Sequence, residues 1–419
     1  MKNQSVGNSI DWLTLLLYML LVIAGWLNIY SASLPEVEAA LFDITQIYGR
    51  QMLFIGLSLP LILILLFTEA KIFEKLSFVF YGLGIFLLLG LFVFGKTIKG
   101  QTNWYQFGGF GFQPSEFVKT ATALLLAKYL SFPQINLSKT KHQLIAFAII
   151  GLPIFLILMQ PDTGSAMIFF ALVFVLNREG LPSWYLLSGV IAIVVFSLAL
   201  VIDPMYLIIA TIIIMVFHYI GNRRISRNPI LYALALITIS AFSYSINYVY
   251  NDVLEPHQKD RIDVLISDNV DMKKEGYNLN QSMIAIGSGG WFGKGYLEGT
   301  QTKGGFVPEQ HTDYIFTTVG EEWGFVGSIT VLLLFAFLFL RILHLAENQK
   351  TKFNRIYGYC VATYLFTHFF VNIAMTIGLF PVIGIPLPFF SYGGSSLWAF
   401  TILLFIFLRL DASRMEHIN

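Results

Sequence analysis

Charge is what this chain has least of. Only 12% of its 419 residues are Asp, Glu, Lys or Arg, against 56% hydrophobic and 16% aromatic, and the mean hydropathy is +0.70. That leaves too little polar surface to cover a globule in water, which excludes an ordinary soluble domain. The single cysteine, Cys360, excludes an intramolecular disulfide and any cysteine-rich metal site. The histidines show no HExxH or HxxxH spacing, so they give no histidine-based metal motif. A net charge of +1 gives no electrostatic reason to bind nucleic acid. The N-terminus lacks the basic start and small-residue cleavage site of a removable signal, so its first apolar run is expected to stay as a span.

What the chain has instead is a series of apolar runs, at 12–30, 52–67, 76–94, 114–130, 144–159, 166–176, 184–202, 205–220, 230–250, 325–343, 356–377 and 397–408. Most approach the roughly 20 residues that a helix needs to cross a bilayer core. The expected fold is all-α, a polytopic membrane bundle of about 12 spans in one domain, falling to ten if one pair is re-entrant. Lys71, Lys75, Lys139, Lys141, Arg178, Arg223, Arg224, Arg227, Lys350, Lys352, Arg355 and Arg414 fall on one side, and Arg50, Lys96 and Lys99 on the other. Positive charge collects inside, which predicts cytoplasmic termini and places the longest loop, 251–313, outside.

Several polar residues sit where a membrane tolerates them poorly. "FQPSEFVKT" (112–120) starts a helix at Pro114 and sets Glu116 and Lys119 three residues apart on one face. They read either as a structural ion pair that fixes packing or as a pair facing a polar cavity. In "QPDTGS" (160–165), Asp162 and Thr163 are suited to cap the next helix. Trp104 reads as an interfacial aromatic, with sugar or lipid contact as the alternative. "GSGGWFGKG" (287–295) is not a Walker A motif, because no glycine stands five residues before Gly293-Lys294 and Gly295 takes the Ser/Thr place. It reads as a glycine backbone able to approach a pyrophosphate, with Lys294 nearby, or as a hinge. "GLFPVIGIPLPFFSYGGSS" (378–396), which includes Ser391, reads as a re-entrant element lining an outer cavity. "FVPEQHTDYIF" (306–316) clusters Glu309, His311 and Asp313 before an apolar run, with Glu321 and Glu322 following. Thr312 or Asp313 could cap that helix; the alternative is a functional acid at the membrane mouth.

Taken together, "FQPSEFVK", "QPDTGSA", "QSMIAIGSGGWFGKGYLEGTQ", "FVPEQHTDYIFTTVGEEWGFVG" and "GIPLPFFSYGGSSL" resemble, in order, the signature segments of the SEDS family of bacterial cell-wall polymerases. The wording of the third segment is more similar to the elongation branch of the family than to the division branch. The resemblance implies a peptidoglycan glycosyltransferase in the bacterial inner membrane, polymerising lipid II beside a class B penicillin-binding protein and other elongation-complex membrane proteins. It also implies that Asp313 matches an essential aspartate of the large outer loop, Glu116 and Lys119 an intramembrane pair, and Trp104 a sensitive tryptophan. Two features depart from the family pattern. The stretch 203–250 looks like an inserted helical hairpin on a ten-span plan, and Asp268 is followed by Asn269 where the family has a proline.

Glycan polymerisation joins the 4-hydroxyl of one sugar to the anomeric carbon of another and expels a lipid pyrophosphate. The hydroxyl needs a base, and Asp313 suits that role. The departing pyrophosphate needs a cation, from Arg50, Lys96, Lys99, Lys119, Arg261 or Lys294, or from a divalent ion such as Mg2+, for which the sequence shows no clear motif. A lipid II flippase and a non-catalytic scaffold are the rival readings, the first weakened by the lack of an internal repeat.

Overall fold

The computed structural model describes residues 10–34, 42–98, 100–108, 110–221, 229–254, 259, 262–264 and 276–416. The apolar runs become helices. α1 (Trp12–Ser33), α2 (Ile47–Phe67), the short α3 (Ala70–Lys75) and α4 (Ser77–Phe94) are followed by three strands. These are β1 (Lys96–Ile98), β2 (Gln101–Phe107) and β3 (Phe110–Phe112), an antiparallel sheet with Lys96 opposite Trp104 and Tyr105 opposite Phe112. Thr, Trp, Tyr and Phe suit such a pleated surface.

Then come α5 (Pro114–Ser131), with proline in its first turn, α6 (Thr140–Leu158), and the short pair α7 (Thr163–Phe170) and α8 (Leu172–Arg178). α9 (Trp184–Val201), α10 (Pro204–Gly221) and α11 (Pro229–Tyr248) follow, the last running into a π-helical stretch, Val249–Val253. After α12 (Tyr277–Ser288) and α13 (Thr300–Lys303), three long helices end the chain: α14 (Ile315–Glu347), α15 (Lys352–Thr376) and α16 (Gly394–Glu416).

Among the described residues, ten helices are long and apolar enough to cross a membrane: α1, α2, α4, α6, α9, α10, α11, α14, α15 and α16. α5 fails that measure because it carries Glu116, Lys119 and Lys128, and 163–178 because it is short and broken at Ala171. With these two, each of the twelve apolar runs has its helical counterpart. α14 begins ten residues before the run at 325–343, and its backbone leaves helical geometry at Gly324 (φ 63°, ψ −155°).

The chain divides into two compact units, Met1–Leu181 with Asn278–Asn419, and Pro182–Tyr277. In the larger, α14 packs on α15 and α1, α5 on α4 and α15, and α16 on α2. In the smaller, α9, α10 and α11 pack on one another around Ala199, Leu207 and Ile246, a small core of their own. The hairpin expected at 203–250 corresponds to α10 and α11 of this unit.

Candidate active site

Asp313 lies in the turn before α14. The N-cap position of α14 is Tyr314, whose side chain makes no capping bond, and the Thr312 hydroxyl turns back to Glu309. Three successive carbonyls of the turn are held from one direction. Tyr392 N–H donates to His311 O at 2.9 Å, Ser391 Oγ–H to Thr312 O at 2.6 Å, and Asn372 Nδ2–H to Asp313 O at 2.8 Å. Fixing the backbone this way fixes where the half-buried Asp313 side chain starts. Glu309, just upstream, adopts a left-handed φ of 55°, a conformation that costs a non-glycine residue on the order of 1–3 kcal/mol, and its carboxylate accepts from Thr312 Oγ1 at 3.2 Å. Gln310 is buried and donates to Ala32 O and Thr302 O, which anchors the motif to α1 and α13.

The stretch 378–396 carries no regular element before Gly394, and it borders this turn. Ser391 serves both sides: its hydroxyl donates to Thr312 O and accepts from Leu387 N–H at 2.8 Å. At Gly384, φ is +70°, and a Cβ added there would stand 3.3 Å from Asp313 Oδ2, so glycine is needed for backbone conformation and for proximity to the acid. Tyr392 also meets His311 edge-on, with ring centres 5.6 Å apart, and the Arg50 guanidinium of α2 is near enough to act on its phenol. Burial pushes the Tyr392 phenol up, and the Arg50 guanidinium pulls it partly back. Asp313, Glu309, His311, Ser391 and Arg50 therefore belong to one linked neighbourhood.

Glu116 and Lys119 form the expected pair, 2.8 Å apart and buried on both sides. Lys119 Nζ also lies 2.6 Å from His368 Nε2 of α15. Asp162 does cap α7, accepting from Ser165 N–H at 3.0 Å. Its other oxygen accepts from Asn103 Nδ2 at 2.7 Å and Gln113 Nε2 at 3.3 Å, so it ties the sheet to the start of α5. Trp104 sits on β2 with its ring against Gly111 of β3.

The glycine-rich segment at 287–295 is bonded to the backbone of α14 like a splint. Lys294 N–H and Gly295 N–H donate to Glu321 O and Glu322 O, and Gly290 O accepts from Phe325 N–H, so the segment bonds to the backbone of α14 around its break. Lys294 Nζ is engaged by Glu321 at 2.7 Å and Thr300 at 2.7 Å. Glu321 is fully buried and also accepts from Gln301 and Thr302 N–H, while Glu322 takes Ser31. A buried acid with that many donors is satisfied as an anion. Lys294 thus supports the site through Glu321. Lys96 is exposed on β1, whereas Lys99, Arg261, Asp268 and Asn269 lie outside the described residues. Among the described residues, no three His, Cys, Asp or Glu side chains group as a metal ligand set.

Residues 11–226 and 178–416 match the FtsW/RodA/SpoVE family of cell cycle proteins. The chain belongs to that family, the SEDS family of the sequence resemblance. This family member is 32% identical over 437 residues to the peptidoglycan glycosyltransferase RodA of Treponema pallidum (strain Nichols), across 97% of this chain and 98% of that protein. It is 31% identical to the peptidoglycan glycosyltransferase MrdB of Escherichia coli (strain K12), across 93% and 90%. It is also similar to a chain from a peptidoglycan synthase complex that coordinates polymerization and crosslinking, with a TM-score of 0.71, 28% identity and 97% and 98% coverage. The two family matches overlap over 178–226.

Proposed function

We propose that this SEDS chain is a peptidoglycan glycosyltransferase of the RodA type, polymerising lipid II into glycan strands during cell elongation, with Asp313 as its general base. The observation that carries the site is the turn at 311–313, whose three carbonyls are held by Tyr392, Ser391 and Asn372, with Gly384 lying close to the Asp313 carboxylate. Asp313 takes the proton from the acceptor 4-hydroxyl as the oxygen attacks the anomeric carbon. The bond to the lipid pyrophosphate breaks in the same displacement, and the anomeric carbon inverts. Arg50, whose guanidinium acts on Tyr392 at the edge of this neighbourhood, is the cation we assign to meet the departing pyrophosphate, and any divalent ion would add to it. The partner is a class B penicillin-binding protein that crosslinks the product.

Purified protein with that partner should polymerise lipid II in detergent. A flippase moves substrate between compartments and a scaffold makes no polymer, so the absence of product in this assay would overturn the reading.

The orientation proposed from the arginine asymmetry puts both termini in the cytoplasm and Asp313 outside. In a Cys360→Ala background, an impermeant thiol reagent applied from outside should label Lys303→Cys and spare Ser226→Cys. The opposite pattern would reverse the topology.

A further inference from the structure

His368 lies inside α15, a helix long and apolar enough to cross a membrane, and is 1% exposed. A histidine buried at membrane depth has to bond through both ring nitrogens or leave a costly gap. One nitrogen, Nε2, stands 2.6 Å from Lys119 Nζ, and the other, Nδ1, stands 3.4 Å from Pro386 O. The neighbours set the protonation pattern. An ammonium has only N–H to offer, so Nε2 accepts; a carbonyl only accepts, so Nδ1 carries the hydrogen. The ring is therefore neutral in one tautomer, and Lys119 is charged, with Glu116 taking a second N–H at 2.8 Å. The edge of the Phe400 ring packs against His368 at 4.7 Å, and the same ring lies 5.1 Å from Lys119 Nζ, which holds both groups in place.

One turn further along α15, Asn372 repeats the device. Its amide donates to Ile385 O at 2.7 Å and to Asp313 O at 2.8 Å. His368 and Asn372, four residues apart and on one face of the helix, thus grip the adjacent carbonyls Pro386 and Ile385. The next residue back, Gly384, lies against the Asp313 carboxylate. We infer that His368 is a positioning residue for polymerisation, coupling the buried Glu116–Lys119 pair to the 378–396 segment, so that the pair sets the place of that segment and hence of Asp313. The inference rests on the reading of Asp313 as the base.

The test compares two substitutions in the full chain with its partner. His368→Gln keeps an acceptor for Lys119 and a donor for Pro386 O, whereas His368→Phe keeps the ring and removes both. Polymerisation of lipid II by His368→Phe should fall about a hundredfold, mainly in kcat, because a displacement of about 1 Å at a reacting group has that size of effect. His368→Gln should stay within a few fold of the parent. Equal losses in both variants, or a normal rate for His368→Phe, would overturn the inference. If His368→Phe does not fold, ¹⁵N-histidine NMR of the unmodified protein decides. A neutral ring protonated at Nδ1 supports the coupling, and an imidazolium or an Nε2–H tautomer overturns it. Asp313→Asn measured beside them separates the two ideas. A normal rate there defeats the base assignment whatever His368 does, while an inactive Asp313→Asn with an active His368→Phe defeats only the coupling.

Discussion

The last two helices, α15 and α16, and the three helices of Pro182–Tyr277 are all apolar enough to cross a membrane but use their apolar residues in opposite ways. The apolar windows of α15 and α16 are 67% and 83% buried, whereas those of α9, α10 and α11 are 6%, 11% and 11% buried. In lipid, burying one apolar side chain against another gains little over leaving it in acyl chains, so helices associate through close packing and polar contacts. α15 follows that rule, with buried Asn354, His368, Asn372 and Thr376, each hydrogen-bonded. α9 to α11 bury only a few residues, Ala199, Pro204, Leu207, Ser243 and Ile246, and turn Ile, Leu, Val and Phe outward along their lengths. Buried polar side chains are thus concentrated where chemistry is proposed and scarce where it is not. Each prediction below tests that division.

The largest effect is expected at Asp313. Asp313→Asn keeps the shape and the backbone bonds of the turn but cannot accept the hydroxyl proton. Polymerisation should fall roughly a hundred- to ten-thousandfold, with expression and partner binding unchanged, as measured by glycan product from purified protein. A purely structural residue would survive this change, and near-normal synthesis would remove Asp313 from the mechanism.

Next come Glu116 and Lys119, which share one buried ion pair. Removing one partner leaves a charge unpaired and costs on the order of 3–5 kcal/mol, whereas removing both can be much milder. Glu116→Gln or Lys119→Met alone should lower the midpoint of thermal unfolding more than the two together. Additive shifts in that cycle would mean that the 2.8 Å contact carries no coupling.

How much of this was legible beforehand depends on whether the signal is local. Apolar length revealed the twelve helical segments, and spacing revealed the Glu116–Lys119 pair and the Asp162 cap, because both are contacts within about one turn of chain. The sheet at Lys96–Phe112 leaves no clear signal in the sequence, since three short strands carry too little period to register. Glu321 and Glu322 were set outside the run at 325–343 because acids are costly in a span. The structure places them within α14, where Lys294 and the backbone of Gln301 and Thr302 satisfy Glu321 and Ser31 binds Glu322. His368, Asn372 and Gln310 were missed, since their partners Lys119, Asp313 and Ala32 lie 249, 59 and 278 positions away. The one available hint was two polar residues four apart inside an apolar run.

A smaller effect is expected at Gly384. Alanine there must hold φ at +70° and place a methyl group 3.3 Å from Asp313 Oδ2. The strain is about 1 kcal/mol, and the displaced carboxylate should cost about tenfold in polymerisation, read as kcat at unchanged expression. If Gly384→Ala polymerises normally, the segment does not set the position of the acid as closely as the geometry suggests.

The smallest effect is expected from removing the most apolar part. α10 and α11 contain no acidic residue. Deleting two consecutive spans preserves the side on which every later segment emerges, so the topology of α14 to α16 should be retained. A variant joined across residues 203–250 should therefore insert, bind its penicillin-binding partner and polymerise lipid II within a few fold of the parent. The measurement must include insertion and partner capture, because a chain that fails to insert says nothing about chemistry. A variant that inserts and binds yet makes no glycan would mean that the outward-facing apolar helices serve the reaction itself, and the contrast between the two regions would no longer mark where the site is.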